Sequence, residues 1–312
     1  VQEITSNIFT PPYPLKTAVL FLIFNRPDTT KQVFEAIRQA KPPRLYIAAD
    51  GPRAYKPREQ EKCEEVRRIA INVDWDCEVK TFFRDKNLGC QVAVSSAIDW
   101  FFENEEEGVI LEDDCLPSQS FFWFCEELLE RYRDDMRIMH ISGDNFQNGL
   151  KRGNATYYFS KISHIWGWAT WRRAWKFYDA TIGNFPQFKE KRKIRDVFDS
   201  KREQNYWSRI LQSVYDGKID TWDYQWNYTV WTQNALCVLP NINLVSNIGF
   251  GNDSTHTIES TSKFADMPTI EMSAINHPDF MLQNKEADRF TFNSHFSPRS
   301  SIMLRGIKKI IK

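Results

Sequence analysis

Residues 108–117, G-V-I-L-E-D-D-C-L-P, constrain this chain more than any other stretch. Val109, Ile110 and Leu111 are a short apolar run of the kind that forms a buried strand, and the run stops at three acidic residues, Glu112, Asp113 and Asp114. A carboxylate at the C-terminal end of a central strand lies where open α/β sheets bind ligands. Like charges packed so closely repel one another. A cation is therefore their natural partner, and a hard divalent ion shared with phosphate oxygens suits carboxylate ligands. The plain alternative is an acidic, solvated turn after an ordinary strand, and the rest of the chain has to decide between the two.

The upstream sequence supplies three more strand ends of this kind. Residues 17–24 are continuously apolar, as in a strand buried on both faces of a parallel sheet, and they stop at Asn25-Arg26-Pro27-Asp28. Asp28 or Thr29 can cap a following helix with Val33, Ile37 and Ala40 on its buried stripe. Residues 45–49 then deliver Asp50-Gly51, and residues 79–83 lead into Arg84 to Gly89 through Lys86 and Asn87. Charged or amphipathic helical patterns at 57–71 and 92–100 separate these strands. Strand and helix alternate, so the four strand ends fall along one edge of a parallel sheet, and basic, amide and acidic groups converge on one crevice.

Downstream, a helix at 120–132 and a strand at 137–142 precede a short, antiparallel strand at 157–160. An aromatic stretch from His164 to Trp171 opens a second half in which 187–217 and 222–234 read as helical and 236–239 as a strand. With 42% hydrophobic and 26% charged residues the composition is that of an ordinary globular protein. Lys+Arg and Asp+Glu both number 41, so there is no global field favouring nucleic acid. Six cysteines without a C-x-x-C pair or zinc spacing read as reduced core thiols and point to a reducing, cytoplasmic setting. No apolar run has transmembrane length, and a chain that starts at Val1 leaves a removed leader or anchor open. The basic segment 305–312 reads as a plain C-terminal helix, with weak membrane-surface contact as the alternative.

A phosphate-bearing ligand fits the crevice. A divalent metal on Asp114, with Asp113 reaching it through water, would neutralise a diphosphate, and Arg26, Arg84 or Lys86 would add positive charge. Asp50 is placed to accept hydrogen bonds from a base or ribose. For each basic residue taken singly, a solvated rim charge is the competing role.

In order, these motifs resemble the GT-A glycosyltransferases, and most closely N-acetylglucosaminyltransferase I and its relatives. The likeness runs from about residue 17 to 257. It rests on Asp50-Gly51, on Lys86-Asn87-Leu88-Gly89, and on V-I-L-E-D-D with the downstream pair Phe121-Phe122. It continues with His140 to Asn145, Tyr158 to Trp168, the segment Thr221-Trp222-Asp223-Tyr224-Gln225-Trp226, which is similar to a W-D-D-W element, and Leu239-Pro240 through Gly249-Phe250-Gly251 to His256. The chain departs from the family at Tyr224, which replaces the second Asp, and at Asn241-Ile242-Asn243. The resemblance implies an α/β fold of GT-A, Rossmann-like type, with a mixed, mostly parallel central sheet flanked by helices. It also implies a nucleotide-sugar donor, UDP-sugars above all, a glycan acceptor, Mn2+ or Mg2+, and inversion at the anomeric carbon.

The expected organisation is a lead-in at 1–16, a nucleotide-sugar-binding half at 17–142, an acceptor-binding and catalytic half at 143–257, and an extension at 258–312. Asp223 is the expected base, against a competing role as a helix cap. Asp114 is the expected metal ligand. Asn25, Arg26, Asp50, Gly51, Arg84, Lys86, Gly89, Glu112, Asp113 and His256 are expected around the nucleotide, and Trp166, Trp168 and Trp222 against the acceptor sugar, although aromatic clusters are more often core. Two other classes compete. A sugar-phosphate nucleotidyltransferase would carry a Gly-rich phosphate loop where this chain has Asn25-Arg26-Pro27, and a carbohydrate-binding module has no need of an acidic trio.

Overall fold

Five consecutive apolar side chains leave Val19–Ile23 (β1) no polar face to turn to water, and all five are buried. Pro27–Ala40 (α1) begins with proline, whose missing N–H is lost at a position with no helical partner, and it buries Val33, Phe34 and Ile37. Arg44–Ala49 (β2), Glu59–Ala70 (α2), Glu78–Phe83 (β3), Cys90–Asn104 (α3) and Glu107–Glu112 (β4) continue the alternation. β2 lies parallel to β1 and β3, and β4 runs parallel to β1 on its other side. Ile23 pairs with Ala49, Ala49 with Phe83, and Leu22 with Glu112, so the four strands finish level at one edge.

Past Asp113 and Asp114 the chain forms Cys115–Pro117 (β5) and Gln119–Arg131 (α4), then Ile138–Ser142 (β6), Tyr157–Ser160 (β7) and Trp168–Trp171 (β8). Arg172–Trp175 (α5), Phe185–Glu190 (α6), Ile194–Val197 (α7), Lys201–Tyr215 (α8) and Asp223–Thr232 (α9) lead to Leu236–Pro240 (β9) and Val245–Asn247 (β10). The computed structural model describes residues 9–250 and 266–296, and in the second of these segments Lys285–Thr291 (α10) runs into a π-helical turn, Phe292–Phe296.

Eight strands form one sheet in the order β3-β2-β1-β4-β8-β6-β9-β7, and β5 and β10 form a small antiparallel pair. Four of the seven pairings in the large sheet are parallel and three antiparallel. This is the mixed, mostly parallel α/β sheet that the sequence implied. Its two faces alternate along each strand: Val19, Phe21 and Ile23 join one apolar cluster, and Leu20 and Leu22 join another. A third cluster, with Trp207, Leu211, Tyr228 and Trp231, fastens α8 to α9.

Two features differ from the sequence reading. β8 lies antiparallel between β4 and β6, a strand concealed in the aromatic stretch. The helical reading of 187–217 resolves into three helices, because Arg192 adopts a left-handed conformation (φ 54°) and Ser200 starts α8 afresh by accepting a hydrogen bond from the Arg202 N–H. All six cysteines are free thiols, four of them buried. Among the described residues no helix is long and apolar enough to cross a membrane.

Candidate functional site

The edge where β1, β2 and β4 end opens into a cavity of 510 Å³. Of the residues singled out from the sequence, Arg26, Asp50, Arg84, Gly89, Glu112, Asp113, Asp114, Trp166, Trp222 and Asp223 line it. Asn25, Gly51, Lys86 and Trp168 do not. His256 and the basic segment 305–312 lie outside the described residues.

The four that miss the cavity have local reasons. Asn25 turns to α2, where its amide donates to Glu59 Oε1 at 2.8 Å. Gly51 is pressed against the backbone of Lys86 so tightly that a Cβ would collide with it, and the Lys86 side chain faces solvent. Trp168 corrects the acceptor reading. Its strand position pairs with Ile110 and Ser142, it is 1% exposed, and its ring stacks between His140 at 5.0 Å and Trp222 at 5.3 Å, so it is core. Trp166, two residues earlier and just ahead of β8, reaches the cavity because antiparallel β8 begins at the edge where β4 ends.

The acidic trio is built around Arg26. Its guanidinium forms an ion pair with Asp114 at 2.5 Å and lies 3.9 Å from Asp113. Asp113 Oδ2 also accepts the Phe24 N–H at 2.9 Å, which ties the trio to the end of β1. Burial pushes the Glu112 carboxyl well above its ordinary range, and the charges of Asp114 and Asp113 push the same way, against the pull of Arg26. Burial and Asp114 likewise raise Asp113. The β5–β10 pair then closes on this point. The Ile248 N–H donates to the Asp114 carbonyl at 2.8 Å, and a Cβ at Gly249 would collide with Asp114 and Arg26, so only glycine lets this segment come so near.

Asp50 organises the neighbouring wall. Its carboxylate accepts the Gly51 N–H at 2.8 Å, the Leu88 N–H at 3.0 Å and the Asn87 amide at 2.8 Å, so it holds the loop 86–89 against β2. Burial raises its pKa despite those hydrogen bonds. Arg84 donates to Ser96 Oγ at 2.7 Å and lies over the Phe82 ring at 4.4 Å.

Asp223 is the first residue of α9, and the cap position belongs to Trp222, whose side chain makes no capping bond. The competing role as a helix cap therefore falls away. The Thr221 hydroxyl donates to Asp223 Oδ1, and the Asp223 charge is near enough to raise Glu112 further. Asp223 also lines a second cavity, described below.

Several wall residues escaped the sequence reading. Asp220 caps α3, accepting the N–H groups of Cys90 at 3.1 Å and Gln91 at 2.9 Å. No signal marks it, because the helix it caps lies 130 residues earlier in the chain. Arg53 lines the cavity while paired with Glu59, and Asp50-Gly51-Pro52-Arg53 at a strand end was the available clue. Asn247 and Phe250 arrive with β10, whose three residues are too short to read as a strand.

No family model matches the chain, and no curated protein sequence matches it. Similar solved structures include HddC from Yersinia pseudotuberculosis, at 10% identity and a TM-score of 0.30, over 50% of this chain and 77% of that one. Apo UDP-glucose pyrophosphorylase is similar at 7% identity and a TM-score of 0.38, over 75% of this chain and 93% of that one. UDP-glucose pyrophosphorylase complexed with UDP-glucose follows at 8% and 0.34, over 72% and 90%. Likeness at this level carries no conclusion about what the chain does.

Proposed function

We propose that this chain is an inverting glycosyltransferase that moves a sugar from a nucleoside-diphosphate donor, a UDP-sugar first of all, to a hydroxyl of a glycan. The observation that carries the reading is that Asp223 and Asp114, at the ends of different elements, line one cavity at the strand-end edge of the sheet. One carboxylate serves the incoming hydroxyl and the other the departing diphosphate.

In a single displacement the acceptor oxygen attacks the anomeric carbon, the new C–O bond forms as the bond to the diphosphate breaks, and the electron pair leaves with the diphosphate. Asp223 takes the acceptor proton, a role worth roughly 10²–10⁴-fold in rate. The Thr221 hydroxyl holds the Asp223 carboxylate in place. Arg26 and Arg84 supply positive charge along the donor wall.

Among the described residues no three His, Cys, Asp or Glu side chains are grouped to hold a metal by themselves. One carboxylate plus substrate phosphates is, however, an ordinary way to hold a magnesium-type ion. The residues thus fit an ion that arrives with the diphosphate, with Asp114 as its protein ligand. Such an ion, Mn2+ or Mg2+, would neutralise charge on the leaving group. Asp114 could hold such an ion only if the Arg26 guanidinium shifted off that carboxylate, and beside Asp113 it would still face the phosphates.

Calorimetric titration with UDP, with and without manganese, on the native chain and on Asp114→Ala, tests the donor site. Manganese-dependent binding abolished by the substitution is the expected result. Metal-independent binding that survives it removes Asp114 from the role. Sugar-phosphate nucleotidyl transfer, the activity in the name of the pyrophosphorylase neighbours, is the second reading. Pyrophosphate released from UTP and glucose 1-phosphate, with no transfer from UDP-sugars, would put it first.

A further inference from the structure

Beyond Asp223 lies a second cavity, of 280 Å³, that shares Asp223, Ile165 and Trp166 with the first. Its size is of the order of a single sugar ring, just under the roughly 300–1,000 Å³ of drug-sized pockets. Phe146, Tyr206, Tyr224 and Phe296 supply aromatic walls. Among these apolar faces are polar atoms that find no well-formed hydrogen bond among the described residues: Asp144 Oδ2, Ser163 Oγ, and both ring nitrogens of His164, whose contact with the Asp144 backbone is only a weak one. All three residues are at least 97% buried (0%, 3% and 3% exposed).

Resting on the transferase reading, we infer that this cavity seats one uncharged sugar ring of the acceptor, whose hydroxyls Asp144, Ser163 and His164 hold while a neighbouring hydroxyl faces Asp223. Leaving a buried polar group unpaired is costly, and four such atoms around one space are a set of hydrogen-bonding positions. Their types match a ring of hydroxyls, which both donate and accept. Aromatic faces suit the apolar C–H faces of the same ring.

The occupant's charge follows from the lining. Burial pushes the Asp144 carboxyl up to about 7, although Ser142 Oγ donates to it at 2.6 Å. Burial, with His295 and His140 nearby, holds His164 well below its ordinary value, so the ring is neutral. Among the described residues no Lys or Arg lines the cavity, whereas Asp223 does, so within this lining a uronic acid or phosphorylated ring meets repulsion without compensation. A free protein hydroxyl such as serine would leave the inner groups unmet.

The test uses the full chain and methyl glycosides as probes, with binding read by saturation-transfer NMR: methyl glucoside, methyl galactoside and methyl N-acetylglucosaminide, with methyl glucuronide as the anionic control. Expected are binding of at least one neutral glycoside, none of the glucuronide, and loss of about tenfold or more in His164→Phe. Ser163→Ala, a gentler change, should weaken the same probe. UDP titration on both variants reports that the first cavity is intact. Failure of all neutral probes, equal binding of the glucuronide, or binding unchanged in both variants overturns the inference. The readings fail separately: if UDP binds and the glycosides do not, the acceptor subsite is wrong, and if the glycosides bind while no nucleotide does, the transferase reading is wrong.

Discussion

The two cavities that meet at Asp223 treat their polar groups in opposite ways. In the larger one, polar side chains are committed to the protein: Asp50 holds three donors, Asp113 and Asp114 share Arg26, and Asp220 caps a helix. In the smaller one, Asp144, Ser163 and His164 keep buried atoms that nothing in the described chain satisfies. The difference teaches that the larger cavity is built from fixed loops and paired charge, an arrangement that suits the anionic ligand proposed for it. The smaller one keeps buried polar groups without well-formed partners among the described residues, an arrangement that suits the sugar ring inferred for it.

The sharpest way to break this comparison is at the shared wall. Asp223→Asn keeps the shape and the Thr221 contact but removes the base, so kcat should fall by about 10²–10⁴-fold. UDP titration should be unchanged, and so should glycoside binding. A fall in nucleotide affinity equal to the fall in kcat would mean that Asp223 belongs to the donor cavity alone.

Next in size is the contrast between two tryptophans two residues apart. Trp168→Ala empties a fully packed site, and a loss of about 3–5 kcal/mol is expected in urea or thermal unfolding. Trp166→Ala removes a half-buried wall common to both cavities, so it should cost much less stability and raise the acceptor KM. Equal destabilisation would return Trp166 to the core.

That pair also shows what the sequence could disclose. The ends of β1, β2 and β4 were legible because aliphatic runs stop abruptly at Asn25-Arg26, Asp50 and Glu112, and a buried parallel strand leaves no other pattern. β8 was not legible. W-A-T-W alternates two large rings with small residues, and only its place between β4 and β6 decides that Trp168 is core and Trp166 wall. The Asp144–His164 grouping lies beyond any local reading, since the residues are 20 apart in the chain and meet because β6 and β8 pair, with Nδ1 and Oδ1 at 3.9 Å. Asp114, by contrast, could be named because it follows directly on a strand end, and Asp223 because its segment resembles a W-D-D-W element.

Smaller effects appear with pH, where the buried groups behind the second cavity work in opposition. His140 is held down to about 3 by burial, its Nδ1 accepting from the Trp226 indole at 3.2 Å, while Asp144 is held up to about 7. As pH falls from 6.5 toward 3 the unfolded chain takes a proton on His140 that the folded chain refuses, so this contribution to stability declines. As pH rises from about 4 to 7 the unfolded chain gives up the Asp144 proton that the folded chain keeps, so that contribution declines in the other direction. Between pH 4 and 6.5 the two offset. Asp144→Asn should therefore make stability rise more steeply with pH across that window, by at most roughly 1.4 kcal/mol per unit, and His140→Gln should flatten it. Urea unfolding at pH 4.5, 5.5 and 6.5 reads both, and parallel curves for the three proteins would show that neither group carries the shift.

The smallest expected effect tests whether the segment beyond β10 belongs to the same structure as the two cavities. α4, which follows the acidic trio, begins at Gln119, and Ser118 before it looks like the local cap, yet its side chain makes no capping bond. Glu271 does the work instead: its two carboxylate oxygens accept the N–H groups of Gln119 at 2.9 Å and Ser120 at 2.8 Å, and the Met272 N–H donates back to Ser120 Oγ at 2.8 Å. A carboxylate is the right group there, since it satisfies two unpaired donors at the positive end of a helix. Replacing a capping side chain costs typically about 1 kcal/mol, so Glu271→Ala should lower the unfolding free energy measured in urea by that amount, while Ser118→Ala should change little. The reverse ranking would make Ser118 the cap in solution. Because α4 packs under β4, the loss in Glu271→Ala should leave UDP affinity intact unless the cap also holds Asp113 and Asp114 in register. A parallel loss of manganese-dependent UDP binding would then show that a residue more than 150 positions downstream sets the geometry of the acidic edge.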